Sequence, residues 1–126
     1  MAFSPLLVTI LGEPSVWIGS GEKEWKEKVF AASRKSFEEG GYSQPVGEDC
    51  TVELNFYLSR PRLYQLDIDN LLKPAIDALG TAIFHPGKTG RQYDSEDVWI
   101  RKIVAQKLID DSNPRLEIKV SPWAEA

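Results

Sequence analysis

Between Thr51 and Ser59 every second residue is large and apolar (Val52, Leu54, Phe56, Leu58), with Thr, Glu, Asn and Tyr between them. Successive side chains of a strand point to opposite faces, so this alternation demands a strand with something apolar laid against one face. Ser59-Arg60-Pro61-Arg62 breaks the pattern and begins a basic loop. The period then changes. Leu72, Ile76, Leu79 and Ile83 recur at i, i+4, i+7 and i+11, the buried stripe of a helix from about Asn70 to Ala82. Asp69 is placed to cap it, and Pro74 lies near enough to its start for the missing N–H to do little harm. A strand that must be covered, followed by a helix able to cover it, confines the chain to mixed layers of helix and sheet.

The flanking segments extend this scheme. Phe3 to Leu11 reads as a strand ended by Gly12-Glu13-Pro14. Gly19-Ser20-Gly21 leads into a helix over Glu22 to Glu39, with Trp25, Val29, Ala32 and Phe37 at roughly helical spacing and Gly40-Gly41 as its stop. Gly47-Glu48-Asp49 is a turn, and Phe84 to Tyr93 is a loop rich in Gly and Pro. Asp97 to Leu108 and Arg115 to Val120 read as strands, the latter with Leu116, Ile118 and Val120 on its core face. The expected order is β-α-β-α-β-β. That is an α/β (α+β) fold with a small mixed, largely antiparallel sheet and two helices on one face. The 126 residues hold no repeat or linker and suit a single domain, residues 1–126. A chain of this size buries roughly two-thirds of its surface and needs neither disulfide nor structural zinc.

Cys50 is the only cysteine, which excludes a disulfide framework within the chain and a thiolate metal cluster, and suits a reducing cytosol. There is no basic segment followed by an apolar leader, and no apolar run of ~20 residues. The expectation is a cytoplasmic protein without a membrane span. The net charge of -4 runs against the basic balance usual in DNA binders. Carboxylates that hold divalent ions are neutralised in use, however, so an acidic total does not exclude metal-dependent work on phosphates.

The chemistry concentrates at Asp67-Ile68-Asp69-Asn70 and Lys73. In an extended stretch residues i and i+2 point the same way, so Asp67 and Asp69 face one spot. Two such carboxylates repel unless a cation or proton lies between them, and magnesium takes hard oxygen ligands. The start of the following helix can receive phosphate oxygens. Lys73, one turn in, can neutralise a scissile phosphate or the charge that develops on it. An ordinary N-cap beside a solvated loop carboxylate gives the same short pattern. A third carboxylate has to come from another element, and Asp94, Glu96 and Asp97 precede the next strand.

The stretch Leu66-Asp67-Ile68-Asp69-Asn70-Leu71-Leu72-Lys73-Pro74-Ala75-Ile76-Asp77-Ala78-Leu79 resembles the signature of the RusA family of Holliday junction resolvases. In that family Asp-x-Asp-Asn-x-x-Lys opens a helix that continues with Asp-Ala-Leu. The preceding strand, the Arg60–Arg62 loop, the closing strand and the N-terminal strand and helix also sit where the family has them, so the resemblance spans nearly the whole chain. It implies that Asp67 and Asp69 are metal-binding catalytic carboxylates and Lys73 the catalytic lysine. The family's third aspartate ends an Asp-Asp pair before a strand with apolar residues at +3 and +6 and lysine at +10. Ile100, Ile103 and Lys107 fill those places counted from Asp97, with Glu96 as the first acid, and Asp94 is the second choice. The sequence departs from the family in that acidic pair, in a longer Phe84–Tyr93 loop and in its acidic charge. The implied activity is magnesium-dependent cleavage of four-way junctions in DNA recombination and repair, with manganese as a substitute ion and a homodimer as the working form. The alternatives are a nuclease of flaps or other branched DNA, and a cation- and DNA-binding relative without catalysis.

Arg60, Arg62, Lys88, Arg91, Arg101 and Lys102 flank the acidic cluster and are candidate phosphate contacts, although a solvated face uses the same residues. Asp77, four residues after Lys73, is placed to hold that lysine by an i,i+4 pair. His85 has no partner near it in sequence and reads as a loop residue. Trp17, Trp25, Trp99 and Trp123 read as core or dimer contacts.

Overall fold

The structure is a computed structural model that describes residues 3–15, 20–42, 44–84 and 97–124. Four strands, β1 (Leu6–Leu11), β2 (Cys50–Leu58), β3 (Ile100–Ile109) and β4 (Arg115–Pro122), form one sheet in the order β1-β4-β2-β3. β4 runs antiparallel to both β1 and β2, and β2 and β3 are parallel. The helices are α1 (Ser20–Glu39), a single turn α2 (Arg60–Leu63) and α3 (Ile68–Ile83); a 3-10 turn, Asp97–Trp99, leads into β3. The expected class and element order hold, with α2 added where the sequence predicts a loop. Parallel neighbours need a crossover, and α3 supplies it between β2 and β3.

The alternation of β2 is realised in full: Cys50, Val52, Leu54, Phe56 and Leu58 are completely buried, and the residues between them are half-buried. Leu6, Val8 and Ile10 of β1 and Leu116, Ile118 and Val120 of β4 continue the same apolar face. α1 lays Trp25, Val29, Ser33 and Phe37 against the core, each four residues after the last. The sequence expects Ala32 on this face; Ala32 is half-buried and the fully buried Ser33 takes the inward place. α1 ends as expected at Gly40-Gly41. Gly41 adopts φ +79°, a conformation costly to any residue with a Cβ, and the Tyr42 ring folds back onto Phe37 with centroids 4.9 Å apart.

α3 differs from its sequence-based outline in three ways. It begins at Ile68, with Asp67 rather than Asp69 at the N-cap. Both aspartates suit a cap; Ile68, half-buried against the core, draws the first turn two residues earlier. Pro74 therefore lies inside the helix, where its missing N–H leaves the Asn70 carbonyl without its helical donor. Finally, the deepest stripe is Leu71, Ala75, Ala78, Leu79 and Ala82, and Leu72 sits at its edge, half-buried. The three alanines let α1 and α3 approach closely, and Arg34 of α1 donates to the Ala82 carbonyl at 2.9 Å.

β3 is an edge strand, and its apolar residues are poorly covered: Ile103 is 45%, Val104 43% and Ile109 43% exposed. No helix among the described residues is long and apolar enough to cross a membrane.

Candidate active site

The first turn of α3 and the 3-10 turn before β3 meet around one open pocket. It is lined by Asp69, Leu72, Lys73, Ile76, Asp77 and Asp97. Asp69, Lys73 and Asp77 come from successive turns of a single helix face, spaced by four, and Asp97 arrives from the far side of the crossover. Lys73 is 81% exposed, and its ammonium lies 3.3 Å from both carboxylate oxygens of Asp77, the pair the spacing predicts. At a site this wet the pair adds only a few tenths of a kcal/mol of stability. Its consequence is directional, since it biases a long, flexible cation toward the pocket.

Asp67 stands beside this pocket's helix but not in its lining. Its backbone is extended (φ −80°, ψ 142°), and its carbonyl accepts the first helical hydrogen bond, from the Leu71 N–H at 3.1 Å. Its side chain makes no capping bond. An aspartate at an N-cap ordinarily spends its carboxylate on the N–H groups of the first turn. Here the carboxylate is exposed and spends itself on none of them. The sequence predicts that Asp67 and Asp69 align as alternate residues of one extended stretch. With Asp67 extended and Asp69 already helical, that reason for their alignment does not apply.

Among the described residues no three or more His, Cys, Asp or Glu side chains stand close enough together to hold a metal ion. The donor chemistry nevertheless fits magnesium. That ion takes oxygen ligands, keeps several waters and is commonly held by one or two carboxylates together with substrate phosphates. Asp69 and Asp97 offer two carboxylates to one pocket. Cys50, by contrast, is no candidate for metal or nucleophilic chemistry. It is fully buried, and burial together with the nearby Asp49 charge pushes its thiol up to about 11.

The predicted cations do not gather in one patch. The β2–β3 ladder pairs Cys50 with Ile100 at one end and Leu58 with Ile109 at the other, roughly 30 Å apart for strands of this length. Arg101 and Lys102 stand at the first end and Arg60 and Arg62 just past the second. Arg62 is half-buried: its guanidinium lies 3.4 Å from Glu13 and donates to the Pro14 carbonyl at 2.8 Å. Arg101 pairs with Asp49 at 3.2 Å and lies 3.8 Å from the centre of the Trp123 ring. Arg60 and Lys102 are exposed. Of the tryptophans, Trp25 is in the core, Trp99 packs against it and Trp123 serves Arg101. Asp94, Glu96, Lys88, Arg91, His85 and Trp17 lie outside the described residues.

Two contributions come from contacts that form only in the fold, the second by a lysine that the sequence marks by its place in the family pattern alone. Glu13 meets Arg62 and also accepts from the Ser59 N–H at 3.3 Å, tying the end of β1 to α2. Lys107 of β3 donates to the carbonyls of Leu63 and Leu66 at 2.7 and 2.8 Å.

A search of curated proteins returned no match. The profile of the family described as Endodeoxyribonuclease RusA matches residues 9–121, from within β1 to the penultimate residue of β4, and so covers all or part of every element just described. With that match over nearly its whole length, the chain belongs to the RusA family of endodeoxyribonucleases, hydrolases of the DNA backbone.

Proposed function

We propose that this chain is a magnesium-dependent endonuclease of four-way DNA junctions, acting in recombination and repair in the cytoplasm. The observation that carries the reading is the convergence of Asp69, Lys73, Asp77 and Asp97 on one pocket, within a family of endodeoxyribonucleases. Asp69 and Asp97, which share the pocket, would hold the ion together with substrate phosphate oxygens. Asp67 would join them only by turning its exposed carboxylate toward the pocket, with Asp94 as the alternative third carboxylate and manganese as a substitute metal. When bound, the ion supplies Lewis-acid polarisation of the scissile phosphate and a water of lowered pKa.

The rest of the work falls to the chain's own groups. The first amides of α3 have no helical acceptor and point their N–H groups outward, where a phosphate oxygen can dock. Lys73, steered by Asp77, offers its ammonium to the charge that builds on the phosphate as the 3′ oxygen departs. Arg60 and Lys102 are exposed cations suited to backbone phosphates, and Lys88 and Arg91 complete the proposed DNA contacts. Arg62 and Arg101 can join them only by loosening their present partners, Glu13 and Asp49.

Two symmetric cuts at a junction need two sites, which a two-fold pair of chains supplies. The under-covered β3 edge favours such a homodimer, because a strand edge offers unpaired backbone groups and here carries exposed apolar side chains. Sedimentation should give the mass of two chains, and the Ile103→Lys, Ile109→Lys double variant that of one. A variant that still sediments as a dimer removes the β3 edge from the assignment.

The function itself is tested with labelled four-way, three-way, flap and linear DNA, each with and without magnesium. The expected result is magnesium-dependent cutting of the four-way junction in preference to the others. Preferential cutting of flaps would make it a nuclease of other branched DNA. No cutting with either ion would leave a cation- and DNA-binding relative.

A further inference from the structure

The Lys107 ammonium is half-buried, on the helix-facing side of β3 opposite Phe56. It reaches into the turn between α2 and α3 and donates to two carbonyls there, Leu63 at 2.7 Å and Leu66 at 2.8 Å. It forms no ion pair among the described residues, so these two dipoles are the partners for its charge.

The Leu66 carbonyl belongs to the same planar peptide unit as the Asp67 N–H. Fixing the direction of that carbonyl fixes the plane from which Asp67 departs, and with it the start of α3. The Leu66 side chain is itself buried, so the unit is held from two sides. Asp67, in contrast, makes no side-chain capping bond to hold its orientation. In the turn that carries it, the Leu66 and Gln65 N–H groups both return to the Arg62 carbonyl, within the turn itself. Lys107 is thus a cross-link from the sheet to the segment on which Asp67 is mounted.

We infer that Lys107 is a positioning residue for the metal site, acting through the Leu66–Asp67 peptide unit rather than by touching substrate. The inference rests on the metal reading of Asp67 and Asp69 given above. Residues that orient metal ligands without binding the metal commonly alter affinity or activity by ~10- to 100-fold when replaced.

The test uses the full chain with Lys107→Met, Lys107→Gln and Lys107→Arg, compared with Asp69→Asn. Manganese binding is followed by electron paramagnetic resonance, and cleavage of a labelled four-way junction is followed across a magnesium titration. The methionine variant should weaken manganese binding and raise the half-saturating magnesium by roughly tenfold, and slow cutting at saturating junction by on the order of 10²-fold. Junction affinity should stay within about twofold, because Lys107 faces carbonyls and not phosphate. Arginine, which keeps two donors for the two carbonyls, should restore most of the loss, and glutamine only part. Amide exchange over residues 63–70 should quicken in the methionine variant while that of β4 does not change. Should the methionine variant fail to fold, the graded glutamine and arginine variants give the same comparison. Wild-type metal dependence in every folded Lys107 variant, with Asp69→Asn defective, overturns the positioning role and leaves the site assignment standing. Equal manganese binding by wild type and Asp69→Asn removes both.

Discussion

Replacing Asp69 with asparagine is expected to slow junction cleavage by on the order of 10³-fold or more, while folding and junction binding stay intact. The two side chains have nearly the same shape, so the change removes a charge and a strong oxygen donor rather than volume. Asp69 is exposed, in the first turn of α3 and on the wall of the candidate pocket. A negative charge there stabilises the helix by less than ~1 kcal/mol, which bounds the cost to the fold. A large loss of rate with a small loss of stability is therefore the signature of a ligand. Cleavage gels in magnesium, mobility shifts in calcium and a thermal melt together read it out. A variant that still cuts would show the pocket to be the wrong place.

The largest effect on stability should come from Phe56→Ala. Phe56 is fully buried in β2, a strand with neighbours on both edges, and lies in the middle of the single apolar face. Removing a ring there forfeits its transfer energy and leaves a cavity that paired strands cannot easily close, a cost of about 3–5 kcal/mol. Against a total of roughly 5–15 kcal/mol for a domain, that is a large share. Asn55, one residue away on the opposite face, makes a hydrogen bond to Gln106 at 2.8 Å, and Asn55→Ala should cost only about 1 kcal/mol. Urea unfolding of the two variants compares the faces directly. Equal losses would mean that the core is not one-sided.

The parts of this structure legible in the sequence are those set by a local period. β2 could be read because both its edges are paired and only its faces differ, so side-chain alternation alone decides what is buried. β3 is harder: Ile103 and Val104 are adjacent and both exposed, since an edge strand imposes weaker burial on either face. Its parallel partnership with β2 depends on the crossover through α3, which no pattern within β3 records. The start of α3 was ambiguous because Asp67 and Asp69 are equally good caps, and Ile68's contact with the core chose between them. Asp77's hold on Lys73 was readable from a spacing of four. The engagement of Arg62 by Glu13 was not, for those residues meet only once the sheet has formed. Thus Arg62 in sequence looks like a free phosphate contact and in the structure braces two loops.

The strand order also bears on how the protein must be made. β4 is the fourth strand in sequence yet lies second in space, between β1 and β2, which do not touch each other as neighbours. While the ribosome has delivered only residues up to β3, β1 has no strand to pair with, and β2 can pair only with the poorly covered β3. The apolar faces of β1 and β2 meet in one sheet only when Arg115–Pro122 emerges and slides between them. A nascent chain of this kind carries half-made sheet edges through most of its synthesis and closes late, in one cooperative step. Its vulnerability to aggregation thus falls in the interval before β4 arrives.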